Sequence, residues 1–109
     1  MRKITKQATM AFLSNKEFKK DNTEVVVSRI KGNGIDLMSS SLLLHSNLIA
    51  LAIRNGDSIE EMYITNAGWF SNTTKERLNG IPGVNIRQVR GNWYLNGHQW
   101  DGKLTKINF

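Results

Sequence analysis

"TEVVVSRIKGNGIDLMSSSLLLHSNLIALAIRNGDSIEEMYIT", residues 23–65, alternates strand-like runs with turn signals. "TEVVVSRI" at 23–30 is short and rich in β-branched residues, the composition of a strand. "KGNG" at 31–34 reads as a hairpin turn, and "RNGD" at 54–57 carries a second Asn-Gly turn signal. Between them, "IDLMSSSLLLHSNLIALAI" at 35–53 reads as two strands with a tight turn near His45-Ser46-Asn47. "SIEEMYIT" at 58–65 reads as another strand, with Met62 and Ile64 on one face. Strands joined in sequence by such short turns form an antiparallel meander.

On the N-terminal side, residues 4–18 read as an amphipathic helix. Ile4, Ala8, Ala11, Phe12 and Phe18 fall within one third of a helical wheel, and Lys6, Lys16 and Lys20 fall opposite. Thr5 is the expected N-cap, and "KKDN" at 19–22 is expected to turn the chain. On the other side stands "ITNAGWFSNTTKERLNGIPGV" at 64–84. Thr73 and Glu76 have capping-box spacing, with Ser71 and Asn72 as alternative caps. Gly80 is expected as the left-handed residue that ends the helix, and Pro82 prevents continuation. An apolar residue ahead of a cap commonly staples a helix to the core. Trp69 and Phe70 are therefore expected to anchor this strand-to-helix corner.

After that helix, "VNIRQVRGNWYLNG" reads as a hairpin turning at Gly91-Asn92. That turn pairs Arg90 with Trp93, Val89 with Tyr94, Gln88 with Leu95 and Arg87 with Asn96. Val84, Ile86, Trp93 and Leu95 then share the core face, and Arg87, Val89, Tyr94 and Asn96 the outer one. "NGHQWDGKLTKINF" closes the chain with two Gly turns and Trp100. The expected fold is a single α+β domain over 1–109. It has an N-terminal helix, a mostly antiparallel sheet of four to six strands, a second short helix at about 72–79 and a C-terminal hairpin. Trp69, Leu78, Ile86, Leu95 and Trp100 are expected in the core.

The stretch "ITNAGWFSNTTKERLNGIPGV", followed by "WYLNGHQWDG", resembles a family of small uncharacterised proteins of tailed bacteriophages. The resemblance covers roughly residues 20–102 and is strongest over 61–102. It implies a phage or mobile-element origin and brings no catalytic residue with it. The segment "MSSSLLLHSNLIALAIRNGDSIEE" is longer than that family's pattern leads one to expect, which leaves the strand count there open.

Composition narrows the chemistry. The net charge is +6. Residues 1–20 carry six bases and one acid, residues 21–74 three bases and six acids, and residues 75–109 six bases and two acids. Both ends are basic, and if they meet they form one face attractive to polyanions. Without cysteine there is neither a disulfide nor a thiolate metal site. There is no secretory apolar region and no run of membrane-spanning length. His45 and His98 lack metal-ligand spacing. Glu60 and Glu61 are adjacent on a strand and point to opposite faces. Asp57 sits in a turn for structural reasons. No nucleophile, base and orienter are matched, so the protein is expected not to be an enzyme and to need no cofactor or metal.

Three functions remain open. The first is a nucleic-acid-binding module that sets Lys16, Lys19, Lys20, Lys75, Arg77, Arg87 and Arg90 against phosphates and stacks Tyr94 on a base. The hydroxyls of Ser71, Thr73 and Thr74 at a helix N-terminus also suit a phosphate. The second is a phage-encoded inhibitor docking on a host polymerase, nuclease or antiviral defence complex, with Tyr and Arg as interface anchors. The third is a virion or assembly component. The expected location is the host bacterial cytoplasm.

Overall fold

Four strand signals in one run build the scaffold. A computed structural model describes residues 1–108. It comprises α1 (Lys3–Leu13), β1 (Phe18–Lys20), β2 (Thr23–Gly32), β3 (Ile35–Leu44), β4 (Asn47–Asn55), β5 (Ser58–Ile64), α2 (Asn72–Asn79), β6 (Ile86–Val89), β7 (Asn92–Leu95), β8 (His98–Gln99) and β9 (Thr105–Lys106). A six-stranded antiparallel sheet runs β1-β2-β3-β4-β5-β9, and a three-stranded sheet runs β6-β7-β8. The α+β fold and the second short helix are as the sequence led us to expect.

The meander turns fall where the sequence puts them. Asn33-Gly34 joins β2 to β3, with Gly32 opposite Ile35, and His45-Ser46 joins β3 to β4, with Leu44 opposite Asn47. Both pairs of turn residues have positive φ, the geometry that matches strand twist. Two bulges adjust which side chains face inward. Ile49 is the extra residue where Leu42 pairs with Ala50 and Leu43 with Leu48. Ile49 and Ala50 are consequently both buried. Glu60 is the extra residue between Glu61 and Ile59, which brings Ile59 and Met62 to the same core although they are three residues apart.

One face of the large sheet is covered. Ala8 and Phe12 of α1, Leu78 of α2, and Val84, Ile86, Trp93, Leu95 and Trp100 around the small sheet form one cluster with Val25, Leu42, Ala50, Met62 and Ile64. Burial on this scale is the main stabilising term.

Several expectations are corrected. The first helix stops at Leu13, not at 18, because Asn15 takes a left-handed conformation (φ 54°) and the Lys16 amide donates to the Ala11 carbonyl at 2.9 Å. Phe18 still packs against the core, but from β1, opposite Val25. Thr5 is not the cap; it is buried inside the helix. Ser71 caps α2 in place of Thr73, its Oγ accepting from the Thr74 amide at 3.1 Å. Glu76 turns away to accept from the Thr5 hydroxyl at 2.5 Å. Gly80 is right-handed (φ −71°), so its lack of a side chain serves packing and not handedness. A Cβ there would lie 2.6 Å from Thr5 Cγ2 and Thr9 Oγ1 of α1.

The C-terminal hairpin turns one residue earlier than expected, at Arg90-Gly91. It pairs Val89 with Asn92, Gln88 with Trp93, Arg87 with Tyr94 and Ile86 with Leu95. Arg90 and Gly91 both have positive φ, with Gly at the second position. Moving the turn by one residue shifts each partner by two, so the inward and outward faces survive the error. Asn96 fastens the hairpin to the preceding loop. Its Nδ2 donates to the Gly83 carbonyl at 2.9 Å and its Oδ1 accepts from the Asn85 amide at 2.8 Å. Leu78, Ile86, Leu95 and Trp100 are buried as expected, whereas Trp69 is 62% exposed.

Candidate functional site: the Trp69 cleft

The corner "TNAGWF" explains why Trp69 points outward. Asn66 Oδ1 accepts from the Gly68 amide at 2.8 Å, and the Trp69 amide donates to the Asn66 carbonyl at 2.9 Å. This tight turn holds Ala67 at φ 54° and Gly68 at φ 86°. A left-handed alanine is strained by roughly 1–2 kcal/mol. The strain is sustained by Asn66, which is buried and whose amide donates to the Gly102 carbonyl at 2.9 Å. The next residue, Phe70, is itself 57% exposed and packs on one side only. Its ring meets Trp93 edge-on, with centroids 5.1 Å apart. Both aromatics therefore stand largely outside the core, against the expectation that they anchor this corner, with Phe70 leaning on Trp93 and Trp69 beside the cleft.

Beside Trp69 opens a cavity of about 400 Å³. Leu44 and Ile49 give it an apolar lining; His45 and Asn47 come from the β3–β4 turn, and Ser71, Thr73 and Thr74 from the start of α2. Asn66 also lines it. Its Nδ2 has no hydrogen-bond partner among the described residues, although the residue is only 1% exposed. The amide orientation is set by the Gly68 amide, which must donate to an oxygen. A buried donor without a partner costs about 1–3 kcal/mol unless something accepts from it. The positive end of the α2 dipole faces the same space. His45 and Ser46, at the rim, also have positive φ.

The sequence-derived basic set does not assemble as one face. Arg77 is only 1% exposed, with Nε donating to Thr23 Oγ1 at 2.9 Å and Nη1 to Thr5 Oγ1 at 2.8 Å. It is a core tie between α2, β2 and α1, out of reach of a phosphate. Burial, with the Arg2 charge, pushes its guanidinium below the ordinary value, while Glu76 opposes that shift. Lys75 is engaged locally, Nζ donating to Gln88 Oε1 at 2.6 Å and lying 5.7 Å from the Trp93 ring centroid. Lys16, Lys19 and Lys20 are exposed on or beside β1, one edge of the large sheet. Arg87, Arg90 and the half-buried Tyr94 belong to the hairpin. Its sheet is tied to the opposite edge through Trp100 Nε1, which donates to Thr105 of β9 at 2.9 Å. Of the set, Lys19 lies nearest the cleft, in a shallow depression that shares His45 with it and also contains Asp21 and Glu24.

Sequence reasoning points to the helix N-terminus and to a turn at His45, but not to Asn66 or to a cleft that joins them. The available signal was Asn-Ala-Gly directly before two aromatics, a turn sequence able to aim one of them outward. Among the described residues, no cluster of His, Asp and Glu is arranged to hold a metal, and no helix is long and apolar enough to cross a membrane. No curated protein and no solved structure matches the chain. Residues 1–109 match the family described as Kyanoviridae Gp96 protein, a bacteriophage family, and the chain belongs to it.

Proposed function

We propose that this phage protein is a non-enzymatic nucleic-acid-binding module that acts in the cytoplasm of the infected host. Its contact surface is the Trp69 cleft and not a face of lysines and arginines. The observation that carries the reading is the exposed indole of Trp69 beside a cavity at a helix N-terminus. Such an indole stacks on an unpaired base, and every base has a π-face, so the contact tolerates any sequence. The first-turn amides and hydroxyls of α2 suit a phosphate. The net charge of +6 supplies long-range attraction. A duplex hides its bases, so the ligand is single-stranded.

Tryptophan fluorescence tests this directly. Trp93 and Trp100 are 1% and 8% exposed, so quenching by a short oligonucleotide reports Trp69. Titration with single-stranded DNA or RNA at low salt is expected to quench, with affinity falling as salt rises. Trp69→Ala is expected to weaken binding by about 1–3 kcal/mol. Charge reversal at Lys20, Arg87 or Arg90, outside the cleft, is expected to weaken it only modestly, through the net charge. Absence of quenching, or full binding by Trp69→Ala, would sink the proposal. Nuclease-resistant capture of one host protein, lost with Trp69→Ala, would favour the inhibitor reading instead.

A further inference from the structure

The uncovered face of the large sheet carries a second, independent inference. An antiparallel sheet with one solvated face normally alternates apolar and polar residues. Here the runs "VVV", "LLL" and "LIALAI" are apolar on both faces. The register shows what points away from the core. Val26, Ser41, Leu51 and Tyr63 form one cross-strand row, and Ser28, Ser39, Ile53 and Glu61 the next. Leu43 faces Leu48, and Ile30 faces Leu37. Both helices and the small sheet pack on the other side. Val26 is 38% exposed and Ile30 44%. Leu37, Leu51, Ile53 and Tyr63 are half-buried, shielded only by their neighbours in the sheet.

Charge is confined to the margins of this face. Lys19 and Glu24 pair across β1 and β2 at one margin. Glu61 and Lys106 form an ion pair at 3.6 Å at the other. No charged residue of β2, β3 or β4 lies on this face between Glu24 and Glu61. An apolar centre with a charged rim is the anatomy of a protein interface.

We infer that this face is the interface with a second copy of the chain. A two-fold axis parallel to the strands lays the β1–β2 margin of one copy over the β5–β9 margin of the other. Each margin then offers one cation and one carboxylate to its counterpart, so the pattern is self-complementary. The size is adequate. Four strands of seven to ten residues, at a spacing of about 4.8 Å and a rise of about 3.3 Å, have a flat footprint near 600 Å². Side-chain relief raises the accessible area towards the roughly 800 Å² per partner of a stable complex. The two sheets would pack about 10 Å apart in a sandwich. The Trp69 cleft lies on the opposite side, with Leu44 and Ile49 of the covered face, and stays open in the dimer.

Sedimentation equilibrium of nuclease-treated protein over a micromolar to millimolar range tests the inference. The expected mass is twice the 12.4 kDa of the chain, with association that persists or tightens as salt screens the repulsion between two cationic copies. Leu51→Lys buries a charge at the centre of the interface and is expected to raise the dimer dissociation constant at least about a hundredfold, with an unchanged far-ultraviolet circular dichroism spectrum. Val26→Lys, at a more exposed position that folding tolerates, is expected to do the same. A wild-type monomer throughout the range overturns the inference. So does a dimer that survives both substitutions, or one that dissociates on nuclease treatment. None of these outcomes bears on the Trp69 cleft, whose test is oligonucleotide quenching.

Discussion

Tryptophan 69 and tryptophan 93 are twenty-four residues apart and make opposite uses of the same side chain. Trp93 is 1% exposed between Phe70 and Trp100, while Trp69 is 62% exposed. Trp93→Ala is expected to cost about 3–5 kcal/mol in chemical denaturation. Trp69→Ala is expected to change stability by about 0.5 kcal/mol or less. A large stability loss on Trp69→Ala would show that the indole is structural after all. Arg77 reads in sequence as one more surface cation and is a buried tie between two threonine hydroxyls. Arg77→Ala removes the donor to both, and is expected to cost about 2–3 kcal/mol. Arg77→Lys is expected to recover little, because an ammonium cannot reach both hydroxyls as the guanidinium fork does.

At the scale of elements, the contact between the two helices turns on Gly80. Glycine at a right-handed helix end would ordinarily be improved by alanine, by up to about 1 kcal/mol. Here the added methyl would meet the Thr5 and Thr9 side chains of α1 at 2.6 Å. Gly80→Ala is therefore expected to destabilise by about 1–3 kcal/mol, with partial recovery in combination with Thr9→Ala. Stabilisation by Gly80→Ala would mean that the helices separate easily. The elements themselves were largely legible. The meander turns follow from Asn-Gly and short polar pairs, and α2 from its cap and its Gly-Pro stop. The first helix was overrun because Phe18 continues the helical wheel by coincidence. Only pairing with Val25 shows that it belongs to a strand.

At the scale of the molecule, Glu76 links the N-terminus, α1 and α2. Burial alone would raise its carboxyl. The Thr5 hydroxyl, the Arg2 amide, the Arg77 charge and the N-terminal charge outweigh that and hold it below the ordinary value. A carboxyl held low in the folded state adds stability above its unfolded value, and this is lost as pH falls through the folded one. Stability measured by denaturation is thus expected to decline below about pH 4.3, the ordinary glutamate value. Glu76→Gln is expected to flatten that decline. An unaltered acid limb in Glu76→Gln would assign the loss to other carboxylates.

The sequence by itself determined what depends on neighbours along the chain: strands from β-branched runs, hairpins from two-residue turns, a helix from its cap and stop, and the absence of cysteine chemistry. It also determined which residues of the C-terminal hairpin face inward, because alternation survives a misplaced turn. Only the three-dimensional packing places both of these aromatics outside and one cation inside. Trp69 and Phe70 read as core anchors, yet past the turn at Asn66–Gly68 they are 62% and 57% exposed. Arg77 has the helical position of a surface residue until Thr5 and Thr23 arrive from elements more than fifty residues distant. The expected convergence of Lys16, Lys19 and Lys20 with the hairpin arginines failed for the same reason. Charge along a chain carries no information about which edges of a sheet its segments will occupy, and here β1 and β9 occupy opposite ones.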